Sequence, residues 1–234
     1  MLRLEDLQVP MDADALKADL VLPPGRRVAL LGPSGAGKST LLDAIAGFRE
    51  TTQGRILWQD RDLTHLRPEA RPVSILFQDS NLFPHLTLAR NLCLALHPDG
   101  RRPDDEARAR IEGALRRVGL EGMADRKPGT LSGGQQGRAA LARVLLMARP
   151  VILLDEPFAA LGPALKREML DLVREVGESL AALVVMVTHD PRDGAGWAQD
   201  VVLVAEGMAH PPVPTERFFG DPPQAFRDYI GTAD

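Results

Sequence analysis

The chain predicts an α/β fold: a parallel sheet covered by helices on both faces, with a β-rich portion near its start and a helical stretch in its middle. Three observations lead there. Gly32-Pro-Ser-Gly-Ala-Gly-Lys38-Ser39-Thr40 lies directly between the apolar run Val28 to Leu31 and the apolar Leu41-Leu42, a glycine-rich phosphate-binding loop in the strand-to-helix setting it requires. Val151 to Leu154 and Leu183 to Val187 are unbroken apolar runs of strand length, the pattern of strands buried on both faces. Ala107, Ile111, Ala114, Leu115 and Val118 form one apolar stripe at helical spacing, with charge on the opposite side.

In chain order, Leu2, Leu4 and Leu7 are separated by polar residues and open a strand-rich stretch over 2–31, turned at Pro23-Pro24-Gly25 before the strand that enters the loop. Thr40 to Gly47 reads as a helix closed by glycine. Gly54 to Trp58 and Val73 to Phe77 are short strands around a polar connection rich in Arg and Pro. From Pro84 to Met147 the pattern is helical, and Pro211 to Pro214 begins a tail expected to hug the surface.

Composition narrows the function. A chain of 234 residues buries about 70–75% of its unfolded surface and needs no staples. A formal net charge of −4 argues against binding nucleic acid, whose affinity comes from clustered cations, so Arg101-Arg102 and Arg116-Arg117 are expected to be solvated. Cys93 is the single cysteine, which excludes an internal disulfide and suits a reducing compartment. The opening Met1-Leu-Arg-Leu-Glu-Asp6 has acid where a secretory signal needs an apolar run, and the longest apolar stretch, Leu180 to Val187, is too short to cross a bilayer.

Three centres carry chemistry. In the loop, backbone N–H groups turn around an anion, Lys38 adds a charge for terminal phosphates, the following helix aims its positive end there, and Ser39 offers a hydroxyl to Mg2+. Gly32, Pro33, Ser34, Gly35, Ala36, Gly37, Lys38, Ser39 and Thr40 are therefore the candidate nucleotide-binding residues. At the end of the run Val151 to Leu154, Asp155 can hold Mg2+ through its water shell while Glu156 polarises an attacking water. Leu131-Ser132-Gly133-Gly134-Gln135-Gln136 opens a further helix and is a second anion-binding N-terminus.

With these residues assembled, the sequence resembles the ATP-binding subunits of ABC transporters over nearly its whole length. The carriers are the phosphate loop, Gln78 after Val73 to Phe77, the signature Leu131 to Gln135, the Asp155-Glu156 strand end and the Thr188-His189-Asp190 turn, in the family's order. The resemblance implies a P-loop NTPase core of the ABC ATPase type with an antiparallel β subdomain and an inserted α-helical subdomain. It implies one domain over 1–234: the core with its β subdomain at about 1–80 and 148–210, the helical part at about 81–147 and a tail at 211–234. It also implies ATP and Mg2+ as ligands, with Glu156, His189 and Lys38 catalytic and Ser39, Gln78 and Asp155 at the metal. Gln78 would be the lid glutamine and His189 the switch histidine on the γ-phosphate. Two copies would sandwich two ATP molecules, with Ser132, Gly134 and Gln135 of one facing the γ-phosphate held by Lys38 of the other.

A transmembrane permease subunit is the implied partner, received along Gln78 to Thr87 with Leu82, Phe83 and Leu86 as apolar contacts. An extracytoplasmic solute-binding protein would act indirectly, placing the chain peripherally on the cytoplasmic face of the bacterial inner membrane. The run Arg71 to Thr87 and the spacing of the opening residues are most similar to the thiamine-importing branch, and the chain stops soon after Phe226 to Ile230, without the added C-terminal domain common in related importers. Importers for iron, a polyamine or an amino acid, or a weakly hydrolysing interaction module, are the alternatives. Three positions depart from the family. Residues 1–47 contain no aromatic to stack on adenine, leaving Met11 or Val9; Gly162 replaces an aspartate after Ala159-Ala160-Leu161; and Gly137 stands early in the signature helix at an expected cost of about 1 kcal/mol. Slow or tightly coupled hydrolysis is the expectation from these departures.

Overall fold

The structure, a computed structural model, describes residues 1–12, 14–77 and 82–230. Gln78 lies outside the described residues. Strands β1 (Leu2–Pro10), β2 (Ala15–Leu22), β3 (Arg27–Leu31), β4 (Gln53–Trp58), β5 (Arg61–Asp62), β6 (Val73–Leu76), β7 (Val151–Asp155), β8 (Leu183–Val187), β9 (Asp200–Ala205), β10 (Met208–Ala209) and β11 (Val213–Pro214) form one sheet. Its order is β5-β4-β1-β2-β10-β9-β3-β8-β7-β6, with β11 beside β9. From β9 to β6 all pairs are parallel, and from β5 to β2 all are antiparallel. The two-residue β10 joins them, running parallel to β2 and antiparallel to β9.

Burial follows this division. β2 alternates buried and exposed positions because one face is solvated, whereas every residue of β8 and β9 is buried between helices. In β1 the inward set Leu2, Leu4, Leu7 and Val9 slips register once, at a bulge where Asp6 has φ 44°.

The helices are α1 (Lys38–Ala46), α2 (Leu88–Leu96), α3 (Asp105–Arg117), α4 (Gly133–Met147), α5 (Pro163–Ser179), α6 (Pro191–Trp197), α7 (Thr215–Gly220) and α8 (Gln224–Ile230). In α3 the expected stripe is buried throughout, and it packs with α2 and α4. Asp104 caps α3 by accepting from Ala107 N at 2.9 Å, while Arg116 and Arg117 occupy its last turn, where cations suit the dipole. Gly137 is buried: a Cβ there would stand 3.4 Å from Met169 Cε and 3.7 Å from Phe158 Cε1. Both are ordinary van der Waals distances, so an alanine would fit at this position and the propensity cost stands.

Two expectations need correction. The tail is more than a surface strap, because α7 and α8 build a small core of their own. Phe218 and Phe226 are buried against Ala29, Leu31, Val201 and Leu203, and their rings meet edge to face at 4.7 Å. The connection before β6, expected only to be polar, also contributes a buried residue. Arg71 is buried and its guanidinium donates to the carbonyls of Ala44, Ile45, Thr64 and Leu66 at 2.7 to 2.9 Å, satisfying the last turn of α1.

Candidate nucleotide site

Strand order brings the chemistry together. β3, β8 and β7 are neighbours running the same way, so the loop after β3, the turn after β8 and the carboxylates after β7 emerge side by side, where ligands of open α/β sheets bind.

Within the loop, Gly32 has φ 149° and its Cα rests on β9: a Cβ would fall 2.0 Å from the Val204 carbonyl oxygen. Pro33 closes a turn, its carbonyl accepting from Ala36 N at 3.2 Å, and Ala36 packs on the core. The Lys38 Nζ folds back to donate to the carbonyls of Gly32 and Pro33, each at 2.8 Å, which holds the loop curved around its side chain. Burial pushes the Lys38 ammonium below its usual range, opposed by Glu156 and Asp155. Gly37 caps α1 in the left-handed region, and no side chain takes up the helix's first N–H groups.

Ser39 donates its hydroxyl to Asp155 Oδ1 at 3.0 Å, uniting the two residues expected at the metal. Burial raises the Asp155 carboxyl above the ordinary range; the Ser39 bond opposes this, while Glu156 and Asp43 add to it. Among the described residues no group of three or more His, Cys, Asp or Glu side chains converges on a metal. A hydroxyl and one carboxylate nevertheless suit Mg2+, which keeps several waters and takes other oxygens from phosphates. The excess of carboxylate around Asp155 calls for a cation.

Glu156 follows with φ 44°, a left-handed backbone uncommon outside glycine. Its N–H reaches the Val187 carbonyl at 3.2 Å, and its Oε2 lies 2.9 Å from His189 Nδ1. The turn Thr188-His189-Asp190 is braced below. Thr188 Oγ1 donates to Asp193 Oδ2 at 2.8 Å, and Lys166 Nζ of α5 reaches the same oxygen at 2.5 Å. Neither Asp193 nor Lys166 had been singled out from the sequence, where nothing local pairs them.

A cavity of about 580 Å3 opens beside the loop, lined by Ser34, Gly35, Gly37, Lys38, Ser39 and Thr40 together with Met11, Asp12, Asp14, Arg49 and Glu156. Met11 is thus the apolar side chain at the expected base position. Val9 is fully buried in the core, which removes it as a candidate. Arg49, donating to the Pro10 carbonyl at 3.1 Å, carried no sequence signal.

The signature residues stand apart from this cluster. Ser132 caps α4 in a reciprocal capping box with Gln135: Ser132 Oγ accepts from Gln135 N at 3.3 Å and Gln135 Oε1 accepts from Ser132 N at 3.0 Å. At Gly134 a Cβ would meet Leu165 Cδ2 of α5 at 2.7 Å. Gly162 caps α5 without a side-chain bond, in open space. Near the first turn of α2, Leu82 packs inward and Phe83 is exposed, with Asn91 holding the backbone between Phe83 and Thr87. No helix among the described residues is long and apolar enough to cross a membrane.

Residues 16–159 match the ABC transporter family, and the chain belongs to it. Its architecture is that of an ABC ATPase cassette. Among solved structures it is similar to cbiO1 from Clostridium perfringens, part of the ABC transporter complex cbiONQ, with a TM-score of 0.81 at 28% identity, covering 94% of this chain and 90% of that one. It is also similar to the ATP-binding cassette MJ0796, a dimer in a post-hydrolysis state bound to ADP and Pi, with a TM-score of 0.76 at 29% identity over 92% and 99% of the two chains. In sequence it is 58% identical to the thiamine import ATP-binding protein ThiQ of Cereibacter sphaeroides, over 99% of this chain and all of the relative. The protein of that name from Ruegeria sp. (strain TM1040) is 52% identical, again over 99% of this chain and all of the relative.

Proposed function

We propose that this chain is the ATP-hydrolysing subunit of a membrane importer for thiamine, working as a pair of identical cassettes. The observation that carries the ATPase reading is the convergence of Lys38, Ser39, Asp155, Glu156 and His189 on the ends of three adjacent parallel strands. The cargo rests on near full-length similarity to proteins named for thiamine import, since no residue of a cassette need touch the solute.

The loop N–H groups and the α1 dipole bind the β- and γ-phosphates, with Lys38 released from its loop carbonyls to meet them. Ser39 and Asp155 would hold Mg2+ there, with Gln78 as a third ligand by family resemblance; bound, the ion neutralises charge on the phosphate oxygens. Glu156, fixed by its left-handed backbone at the mouth of the cavity, accepts the proton of the attacking water. His189 orients Glu156 and contacts the γ-phosphate. Ser132, Gly134 and Gln135 of the second copy close the gap, so ATP joins the copies and its hydrolysis loosens them. Phe83, with Leu86, receives the permease at the cytoplasmic membrane face, Leu82 being packed inward behind them, and a solute-binding protein delivers the cargo outside.

Reconstitution with the membrane subunit tests this reading. Thiamine, presented by its binding protein, should stimulate ATP turnover while iron, polyamines and amino acids should not; stimulation by one of those instead reassigns the cargo. Glu156→Gln should lower turnover by about 10²–10⁴-fold yet leave ATP binding intact and trap a dimer, read by gel filtration with ATP. Normal hydrolysis by that variant would place the base elsewhere.

A further inference from the structure

The last helix reaches the catalytic cluster. Tyr229, near the end of α8, donates its hydroxyl to the backbone carbonyl of His189 at 3.0 Å. That is the residue whose Nδ1 lies 2.9 Å from Glu156. Burial, together with the charges of Glu156 and Asp190, raises the phenol above its ordinary range, so it stays a protonated donor beside the anionic site.

The donor is also well founded. Its ring packs on Phe226 with centroids 5.9 Å apart, and Phe226 packs on Phe218. Those rings rest on Ala29 and Leu31 of β3, and Leu31 is the residue before Gly32. The tail therefore grips the phosphate-loop strand with its core and the switch turn with its last turn. Elsewhere the turn is held through His189's neighbours: Thr188 bonds Asp193, and Asp190 N donates to Thr188 Oγ1 at 3.1 Å. Tyr229 holds the histidine's own backbone.

We infer that Tyr229 is a positioning residue for ATP hydrolysis: it fixes the His189 backbone so that the imidazole stays against Glu156, which makes turnover depend on the seating of the C-terminal helix. This rests on His189 serving the γ-phosphate as proposed above. Tyr229→Phe keeps the ring in its aromatic cluster and deletes only the donor, so the fold survives the test.

Steady-state ATP turnover of the full chain is measured for Tyr229→Phe, His189→Ala and the double variant. Tyr229→Phe should lower kcat roughly 3–10-fold, the effect of one neutral hydrogen bond, with KM for ATP unchanged. In the His189→Ala background the same change should have no further effect. If Tyr229→Phe turns over normally while His189→Ala is impaired, the inference fails and the site reading stands. An equal fall in both backgrounds also overturns it, since Tyr229 would then act through another group. Normal turnover by His189→Ala overturns the histidine's role and this inference with it.

Discussion

Two helices in this chain present glycine-rich N-termini, and they are built on opposite plans. At α1 the cap is Gly37, no side chain takes the first N–H groups, and the charges of Lys38 and Glu156 line a cavity, with Asp155 bonded to Ser39 beside them. At α4 the neutral pair Ser132 and Gln135 satisfies the cap internally. The first end offers its N–H groups to an anion with no side chain in competition; the second already has the Gln135 N–H taken by Ser132, so it offers an anion fewer uncommitted donors. On the function proposed above, the α1 end is the stronger nucleotide contact and the α4 end of the second copy the weaker, which suits a contact that forms and breaks each cycle.

The contrast can be broken most severely at Gly32. Gly32→Ala forces a Cβ to 2.0 Å from the Val204 carbonyl, so at least about 3 kcal/mol of stability should go, with loss of soluble protein or of nucleotide binding in a fluorescence titration. The charged character of the α1 end is sharpened by Asp155→Asn. The wild-type carboxyl holds its proton to higher pH when folded than when unfolded, so its contribution is fully present at low pH and is lost as pH rises through the folded value. The variant should therefore unfold at a higher temperature than wild type at neutral pH, with the gap shrinking toward acid, while its Mg2+-dependent turnover collapses. Thermal scans at several pH values give the sign directly.

At the other end, Ser132→Ala removes the self-made cap and should cost about 1 kcal/mol in urea unfolding. Single-copy ATP binding should be unchanged, because Ser132 lies outside the cavity lining around its own loop. Gly162→Asp is the smallest expected change. The position is open and already a helix cap, so stability should rise by only a few tenths of a kcal/mol, about the margin between Gly and Asp at such sites. A clear change in turnover alongside that small stability effect would tie the position to the facing copy; unchanged turnover would remove the expectation of slowed hydrolysis.

Legibility from sequence tracks how local the physics is. The loop, the apolar strands and the α3 stripe are written in consecutive or helically spaced residues, and they appear where expected. Met11 and Val9 share the parity of one strand face, and they are separated only by the end of β1 at Pro10: Val9 stays in the core, while Met11 enters the turn, its N–H bonded to the Asp14 carbonyl at 2.8 Å. The role of Arg71 is not written locally, because two of its acceptors, Ala44 and Ile45, lie more than twenty residues earlier. Phe218 and Phe226 belong to different short helices, and the surface that buries them comes from β3 and β9.

The two residues of β10 are a seam with mechanical meaning. Through them an unbroken ladder of backbone bonds runs from β1, which delivers Met11 to the cavity, to β3, which delivers the loop. The cavity wall at Met11 and the phosphate loop are thus carried by one continuous sheet. Any shape change that spares this sheet falls to the helices α2 to α4 and to the turn at His189, the parts of the chain that hang off its far edge and its rim.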